Sequence, residues 1–253
     1  MLLYTLFSYQ LETSDILLIL LVALLSGMSK TGVHGAGMLS VPLLAVVFGG
    51  QNSSGVMLPI LLIADVIGVW YYHRHASVKH LKMLIPFAIA GIALGTVIGK
   101  MINDQTFRAI MAVTILGSIV IMIWLKQEKN KKDIPHNRVF AGTMGILGGF
   151  TSMVGNLAGS VMAVYLLAVE LPKNIYIGTT AWFFLIINWA KVPSHVFIWH
   201  TIHLNTVLLA LSTTPAIILG AAFGIAIVKR ISEEKYRWFI ISMTVFAAVL
   251  MLF

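Results

Sequence analysis

Ser29, Lys30, Thr31, Gly32, His34 and Gly35 fall within Gly27-Met-Ser-Lys-Thr-Gly-Val-His-Gly-Ala-Gly37, at the centre of a long apolar run. Thr151, Ser152, Gly155 and Asn156 occupy the same kind of place in Gly149-Phe-Thr-Ser-Met-Val-Gly-Asn-Leu-Ala-Gly159. The two stretches align, Gly27 on Gly149, Ser29 on Thr151, His34 on Asn156, Ala36 on Ala158 and Gly37 on Gly159. Glycines that interrupt a helix let it restart, near Gly35–Ala36 and near Asn156–Leu157. A helix start offers unpaired N–H groups and partial positive charge to an anion. Neighbouring hydroxyl, amide and amine groups add hydrogen bonds. Helix-breaking sequence at matching positions of two halves points to a transporter's binding site. The bland alternative is that these small residues only permit close helix packing.

Lys30 is the sharpest single residue, because a lysine at bilayer depth is costly unless it serves a pathway or a partner. It can charge an anion site, snorkel to a headgroup, or pair with Asp65, which lies inside the apolar stretch Leu58–Tyr72. His34 can bind an anion, relay a proton or be a satisfied interior histidine. Asp65 is the candidate coupling carboxylate, with an interhelical hydrogen-bonding role equally open. Its counterpart in the second half falls near Asn188, and Asn188 and Lys191, three apart, share a helix face. Lys191 beside Pro193 either touches substrate or marks the membrane edge, and Glu170 reads as interfacial. His195, His200 and His203, and separately His73, His75 and His80, cluster without tight ligand spacing, so no metal is expected. Hydrolase and nucleotide-binding signatures are missing, and no cofactor or enzymatic activity is expected.

These residues must be positioned by membrane helices. The chain is 59% hydrophobic and 10% charged, with a mean hydropathy of +0.94, whereas about a quarter of the residues of a soluble domain are charged. Apolar runs able to cross about 30 Å of hydrocarbon recur at Gly55–Tyr72, Met83–Ile102, Thr106–Leu125, Ile175–Trp189, Leu204–Val228 and Tyr236–Phe253. Met1–Asp15 lacks Lys and Arg, and no cleaved signal peptide is read. Without cysteine there is no disulfide or thiolate chemistry. The net charge of +8 is ascribed to basic cytoplasmic loops rather than to nucleic-acid binding.

The basic linker at residues 126–138 separates a first repeat, 1–125, from a second, 139–253. Each half opens with an over-long apolar run, Asp15–Gly49 and Arg138–Leu171. One continuous helix of that length would reach roughly 50 Å at 1.5 Å per residue. Each run is therefore either one bent, tilted helix or a hairpin of two short arms meeting at the glycines. Charge separates these options. The hairpin model gathers Arg74, Lys79, Lys82, the linker, Lys173, Lys229, Arg230, Lys235 and Arg237 on one face and leaves Lys100, Arg108 and Lys191 opposite. That bias fits the positive-inside rule and makes the halves inverted. Gly91, Gly95 and Gly99 recur as Ala216, Gly220 and Gly224, a spacing that lets membrane helices approach closely. The connection Asp104–Arg108 recurs as Glu233–Arg237. Trp70, Trp124 and Trp238 flank basic loops as interface anchors.

Gly27-x-x-x-x-Gly32-x-x-Gly35-x-Gly37 followed by Val41-Pro42-Leu43-Leu44 resembles the opening of the TauE/SafE sulfite-exporter family. So do Tyr165-Leu166-Leu167, Gly178-Thr-Thr-Ala-Trp-Phe-Phe184 and Asn188-Trp-Ala-Lys191-Val-Pro193 in the second half. His34 and Ala36 stand where such proteins often have glycine, which bears on which anion fits. The resemblance implies a multi-pass secondary transporter of the bacterial inner membrane. Its substrate would be a small anion, such as sulfite, sulfoacetate or another organosulfur compound. The whole reading is an all-α polytopic helical membrane protein of two inverted repeats, each a broken helix or hairpin plus three transmembrane helices. Ser29, Lys30, Thr31, Gly32, His34, Gly35, Thr151, Ser152, Gly155, Asn156, Asn188 and Lys191 would bind the anion between the two tips. An ion gradient or the anion's own gradient would drive it. An anion channel is the alternative, and a homodimer is compatible with so small a transporter.

Overall fold

In a bilayer, every backbone N–H and C=O must be satisfied within the protein, so apolar runs fold as helices. The computed structural model describes residues 3–103 and 138–250, with Gln105, Thr106, Ala109, Ile110, Val113 and Gly117 between them. Most of the expected span Thr106–Leu125, the linker up to residue 137, Asp104, Arg108 and Trp124 lie outside the described residues. The chain runs α1 (Thr13–Lys30), α2 (Ala36–Phe48), α3 (Gly50–Tyr72) and α4 (Val78–Met101). After the undescribed stretch come α5 (Arg138–Gly155), α6 (Ala158–Ala168) and α7 (Lys173–Pro193), the last continuing as a π-turn over Ser194–Ile198. Then follow α8 (Leu204–Ser212), α9 (Thr214–Arg230) and α10 (Glu233–Leu250).

Four of the described helical stretches are long and apolar enough to span a membrane: Thr13–Lys30, Gly50–His75, Val78–Met101 and Lys173–Ile198. A fifth is the pair α8 and α9, if these form one bent span. The surface is that of a protein dissolved in lipid. Leu17, Val46, Trp70, Val97 and Met101 are more than half exposed, while Asp65, Lys191 and His195 are fully buried.

Both over-long runs are broken. α1 stops at Lys30 and α2 begins at Ala36, with Gly32 and Gly35 between them at φ +114° and +102°. α5 stops at Gly155 and α6 begins at Ala158, with Asn156 at φ +55°. Only residues that tolerate the left-handed region can make such joints, chiefly glycine and asparagine. In each case the second arm packs against the first.

Two expectations need correction. The stretch Leu204–Val228 is two helices bent by 50° rather than one. Pro215 sits at the start of α9; it has no N–H and its ring crowds the carbonyl four residues back, so the helix cannot pass through it straight. The chain is also not purely helical. Leu3–Leu6 and Tyr9–Glu12 pair antiparallel, turning through Phe7 and Ser8, both at positive φ, as a two-residue hairpin turn requires. This hairpin docks through Tyr9, whose ring meets Phe48 edge-on and whose hydroxyl lies 2.9 Å from Thr206 Oγ1. It leads into α1, where the Glu12 amide donates to Asp15 Oδ2 (2.9 Å), a cap that fixes the helix start.

The tightest helix crossings are α4 on α5 and α1 on α9. A side chain at Gly149 would strike the Ala88 backbone, and one at Gly91 the Ile146 backbone. The other crossing repeats the arrangement, with Gly220 against the Leu24 backbone and Gly27 against Ile217. Small residues at four-residue spacing thus bring backbone to backbone, as membrane interfaces require. Trp70 and Trp238 are more than half exposed, at helix ends beside basic residues, where interfacial anchors sit.

Candidate functional site

The two breaks lie against one small cavity, of about 40 Å³. From the first break it is lined by Ser29, Lys30, His34, Gly35 and Gly37, and from the second by Ser152, Asn156 and Gly159. Met57 and Leu61 of α3 and Phe184 and Asn188 of α7 close it. One water needs roughly 10–15 Å³, so the space suits a very small guest. Neither α2 nor α6 carries a side-chain cap at its start. Gly37 has no room for a Cβ because Ser29 Oγ is in the way, whereas one at Gly159 would meet nothing within 4 Å.

Two lysines and one carboxylate surround this space. Lys30, the last residue of α1, places Nζ 2.9 Å from Asp65 Oδ1 and 3.7 Å from the centre of the Phe184 ring. The α1 end can reach α3 because Gly68 has no side chain, leaving room for the Lys30 carbonyl. The second Asp65 oxygen accepts from Asn188 Nδ2 at 2.5 Å. One helical turn along α7, Lys191 Nζ donates to Asn156 Oδ1 (2.6 Å) and to the Ser152 carbonyl (3.1 Å). Asn156 Nδ2 donates in turn to Ser54 Oγ (3.0 Å). In their ordinary charge states Lys30, Asp65 and Lys191 leave one net positive charge, buried where hydrocarbon would otherwise be. Such a charge calls for a counter-ion.

Of the residues expected to bind, Ser29, Lys30, His34, Gly35, Ser152, Asn156 and Asn188 line the cavity. Lys191 stands behind Asn156, and Asp65 behind Lys30 and Asn188. Four others are placed elsewhere. Thr31 Oγ1 donates to the Gly27 and Ala221 carbonyls (2.9 and 3.1 Å), sealing the α1–α9 crossing. Thr151 Oγ1 turns back to the Leu147 carbonyl (2.8 Å) of its own helix. Gly32 faces Val228 and Ile177, and Gly155 ends α5 without lining the cavity. Ser54 and Phe184 take part without having been singled out. Ser54 follows the polar run Gln51-Asn52-Ser53 into α3, a visible signal; Phe184 ends the motif Gly178–Phe184, but an apolar aromatic there says nothing about a cation.

His34 is the outer wall of the first break. Its Nδ1 lies 3.1 Å from both the Gly32 carbonyl and the Tyr236 hydroxyl, and that hydroxyl itself donates to Gly32 at 2.7 Å. Beyond it, Tyr176 and Tyr236 line a separate pocket of about 380 Å³ with Glu170, Lys173, Glu233 and Arg237. Glu170 pairs with Arg237 at 2.9 Å, both partly exposed. His195 sits one turn past Lys191, with Nδ1 2.8 Å from Thr201 Oγ1. Among the described residues no group of three His, Asp or Glu side chains is arranged to hold a metal.

Neither characterised proteins nor solved structures yield a match to this chain. A family model, Sulfite exporter TauE/SafE, matches residues 16–251, a range that takes in both breaks, both lysines and Asp65. The chain therefore belongs to the TauE/SafE sulfite exporter family, and it is a membrane transporter rather than an enzyme.

Proposed function

We propose that this transporter is secondary-active and carries one small anion, sulfite or an organosulfur anion such as an organosulfonate, across the bacterial inner membrane. The substrate is held between the two helix breaks, and one block of helices moves against the rest to expose the site to alternate sides. The observation that carries this reading is the cavity itself. It joins both breaks, sets Ser29, Lys30, His34, Ser152, Asn156 and Asn188 among glycines and apolar side chains, and is flanked by two lysines against one carboxylate. Ser29, Lys30, His34, Gly35, Ser152, Asn156 and Asn188 contact the anion; Lys191 supplies charge from behind. Asp65 is the coupling group, since protonating it would release Lys30 toward the substrate.

Two inverted repeats, residues 1–125 and 139–253, account for the architecture. In support, the two crossings repeat one another, Gly149 on Ala88 with Gly91 on Ile146, and Gly27 on Ile217 with Gly220 on Leu24. This pairs Gly91 with Gly220, one helical turn from the alignment of Gly91 with Ala216. The lysine and arginine distribution favours the inverted arrangement, with the basic linker in the cytoplasm.

Counterflow in proteoliposomes tests the reading. Vesicles loaded with unlabelled sulfite should accumulate labelled sulfite transiently above the external concentration, and Lys191→Met should abolish the effect. Flux without counterflow would establish the anion channel instead.

A further inference from the structure

We propose that the anion selected here is singly charged and still carries a hydrogen-bond donor, a hydrogen-oxyanion, and that Asn188 is the residue that recognises that donor. The inference rests on the transport reading and narrows its substrate.

Asn188 lines the cavity and is 1% exposed, yet its Oδ1 has no hydrogen-bond partner. Its orientation is fixed by chemistry. Asp65 Oδ2, 2.5 Å away, can only accept while the Lys30 ammonium holds the carboxylate from the other side, so the amide nitrogen must face Asp65. That leaves the amide oxygen as a rigid acceptor. The other amide on the cavity, Asn156, has both ends engaged, its oxygen by Lys191 and its nitrogen by Ser54. Lysine donates only, and the Ser29 and Ser152 hydroxyls can rotate to donate. The charged and titratable groups around Asn188 are Lys30 from α1, His34 from the first break, Asp65 from α3, and Lys191 on its own helix.

A bare oxyanion would set a lone pair against Oδ1 and leave it unpaired; a guest with one O–H or N–H satisfies it. Sites that hydrogen-bond a substrate group reject the analogue lacking it far more strongly than apolar pockets discriminate by size. In their ordinary charge states Lys30, Asp65 and Lys191 together carry one positive charge, the complement of a monoanion.

The test is the affinity of the purified full-length chain in lipid nanodiscs for two pyramidal XO₃ ions of equal charge. These are hydrogensulfite, at mildly acidic pH, and chlorate, which has no proton. Hydrogensulfite should bind about tenfold tighter or more, and in Asn188→Ala the two affinities should converge. Lys191→Met should weaken both alike. Equal affinities in the native protein would overturn the inference while leaving the anion site standing. A preference that survives in Asn188→Ala would overturn the role of Asn188. Failure of both ions to bind, with no sulfite counterflow, would remove the transport reading and this inference with it.

Discussion

Neutralising Asp65 strands Lys30. The pair is 2.9 Å apart, with side-chain exposures of 7% and 0%. Its gross attraction is about 6 kcal/mol at an effective dielectric near 20, and desolvation of the two ions offsets most of it. The pair as a whole therefore contributes little, but half of it is expensive: leaving one buried charge unpaired costs about 3–5 kcal/mol. Asp65→Asn and Lys30→Met should each lose stability in that range. The cation–ring contact with Phe184 adds about 0.5–2 kcal/mol to the loss in Lys30→Met. The double variant removes both charges, keeps a hydrogen-bonding group opposite Asn188, and should sit closer to the native protein than either single variant, by about 2 kcal/mol. Reversible unfolding in mixed micelles, read by tryptophan fluorescence, gives all four corners of the cycle. Additive losses in the double variant would refute the claim that the two side chains satisfy one another.

Other substitutions separate fold from site. Gly159→Ala adds a methyl where nothing lies within 4 Å, and alanine favours the helix by up to about 1 kcal/mol; stability should hold or rise while anion binding falls, because the methyl takes up cavity space. Gly149→Val drives a side chain into the Ala88 backbone and should cost about 1–3 kcal/mol or more by overpacking, seen as poor recovery of folded protein by size-exclusion chromatography. Asn156→Gly keeps a residue suited to φ +55° but deprives Lys191 of its side-chain acceptor, so sulfite-induced thermal stabilisation should vanish with a smaller stability loss than in Asn156→Val. Arg237→Ala removes only a partly exposed ion pair with Glu170 and should shift stability by less than about 1 kcal/mol in the same unfolding assay.

The breaks were legible because glycine and hydroxyl residues interrupt apolar runs at two aligned places, and nothing in hydrocarbon tolerates such sequence without cause. Lys30 with Asp65 was one of several open readings, since a lysine beside a membrane helix end has more than one outlet. Lys191 was harder still: Pro193 nearby suggests a membrane edge, yet the helix continues to Ile198 and buries the lysine completely. Thr31 and Thr151 show where residue type stops being informative. A threonine in a helix can satisfy its hydroxyl on a carbonyl one turn back, and only the packing decides whether it faces a ligand. The bend at Thr213 was readable from Pro215 and was masked by the apolar residues on both sides. The hairpin at Leu3–Glu12 was hidden for the opposite reason, because Phe7-Ser8 lacks the glycine or asparagine that usually announces such a turn.

The partition of the polar contacts bears on biosynthesis. Lys30 finds its carboxylate within the first 103 residues, and Lys191 finds Ser152 and Asn156 within residues 138–250. Of the contacts around these two lysines, Asn188 to Asp65 and Asn156 to Ser54 cross between the stretches. Arms as short as α6, at 11 residues about 16 Å long, cannot span a bilayer unaided, so each must be held by the helix before it. As the chain leaves the ribosome, the amino-terminal stretch can thus enter the membrane with its lysine already neutralised, before the second stretch arrives to form the α4–α5 and α1–α9 crossings and the hydrogen bonds that join the two. Severing the chain within residues 126–137 and expressing the pieces together should therefore still yield an assembled protein.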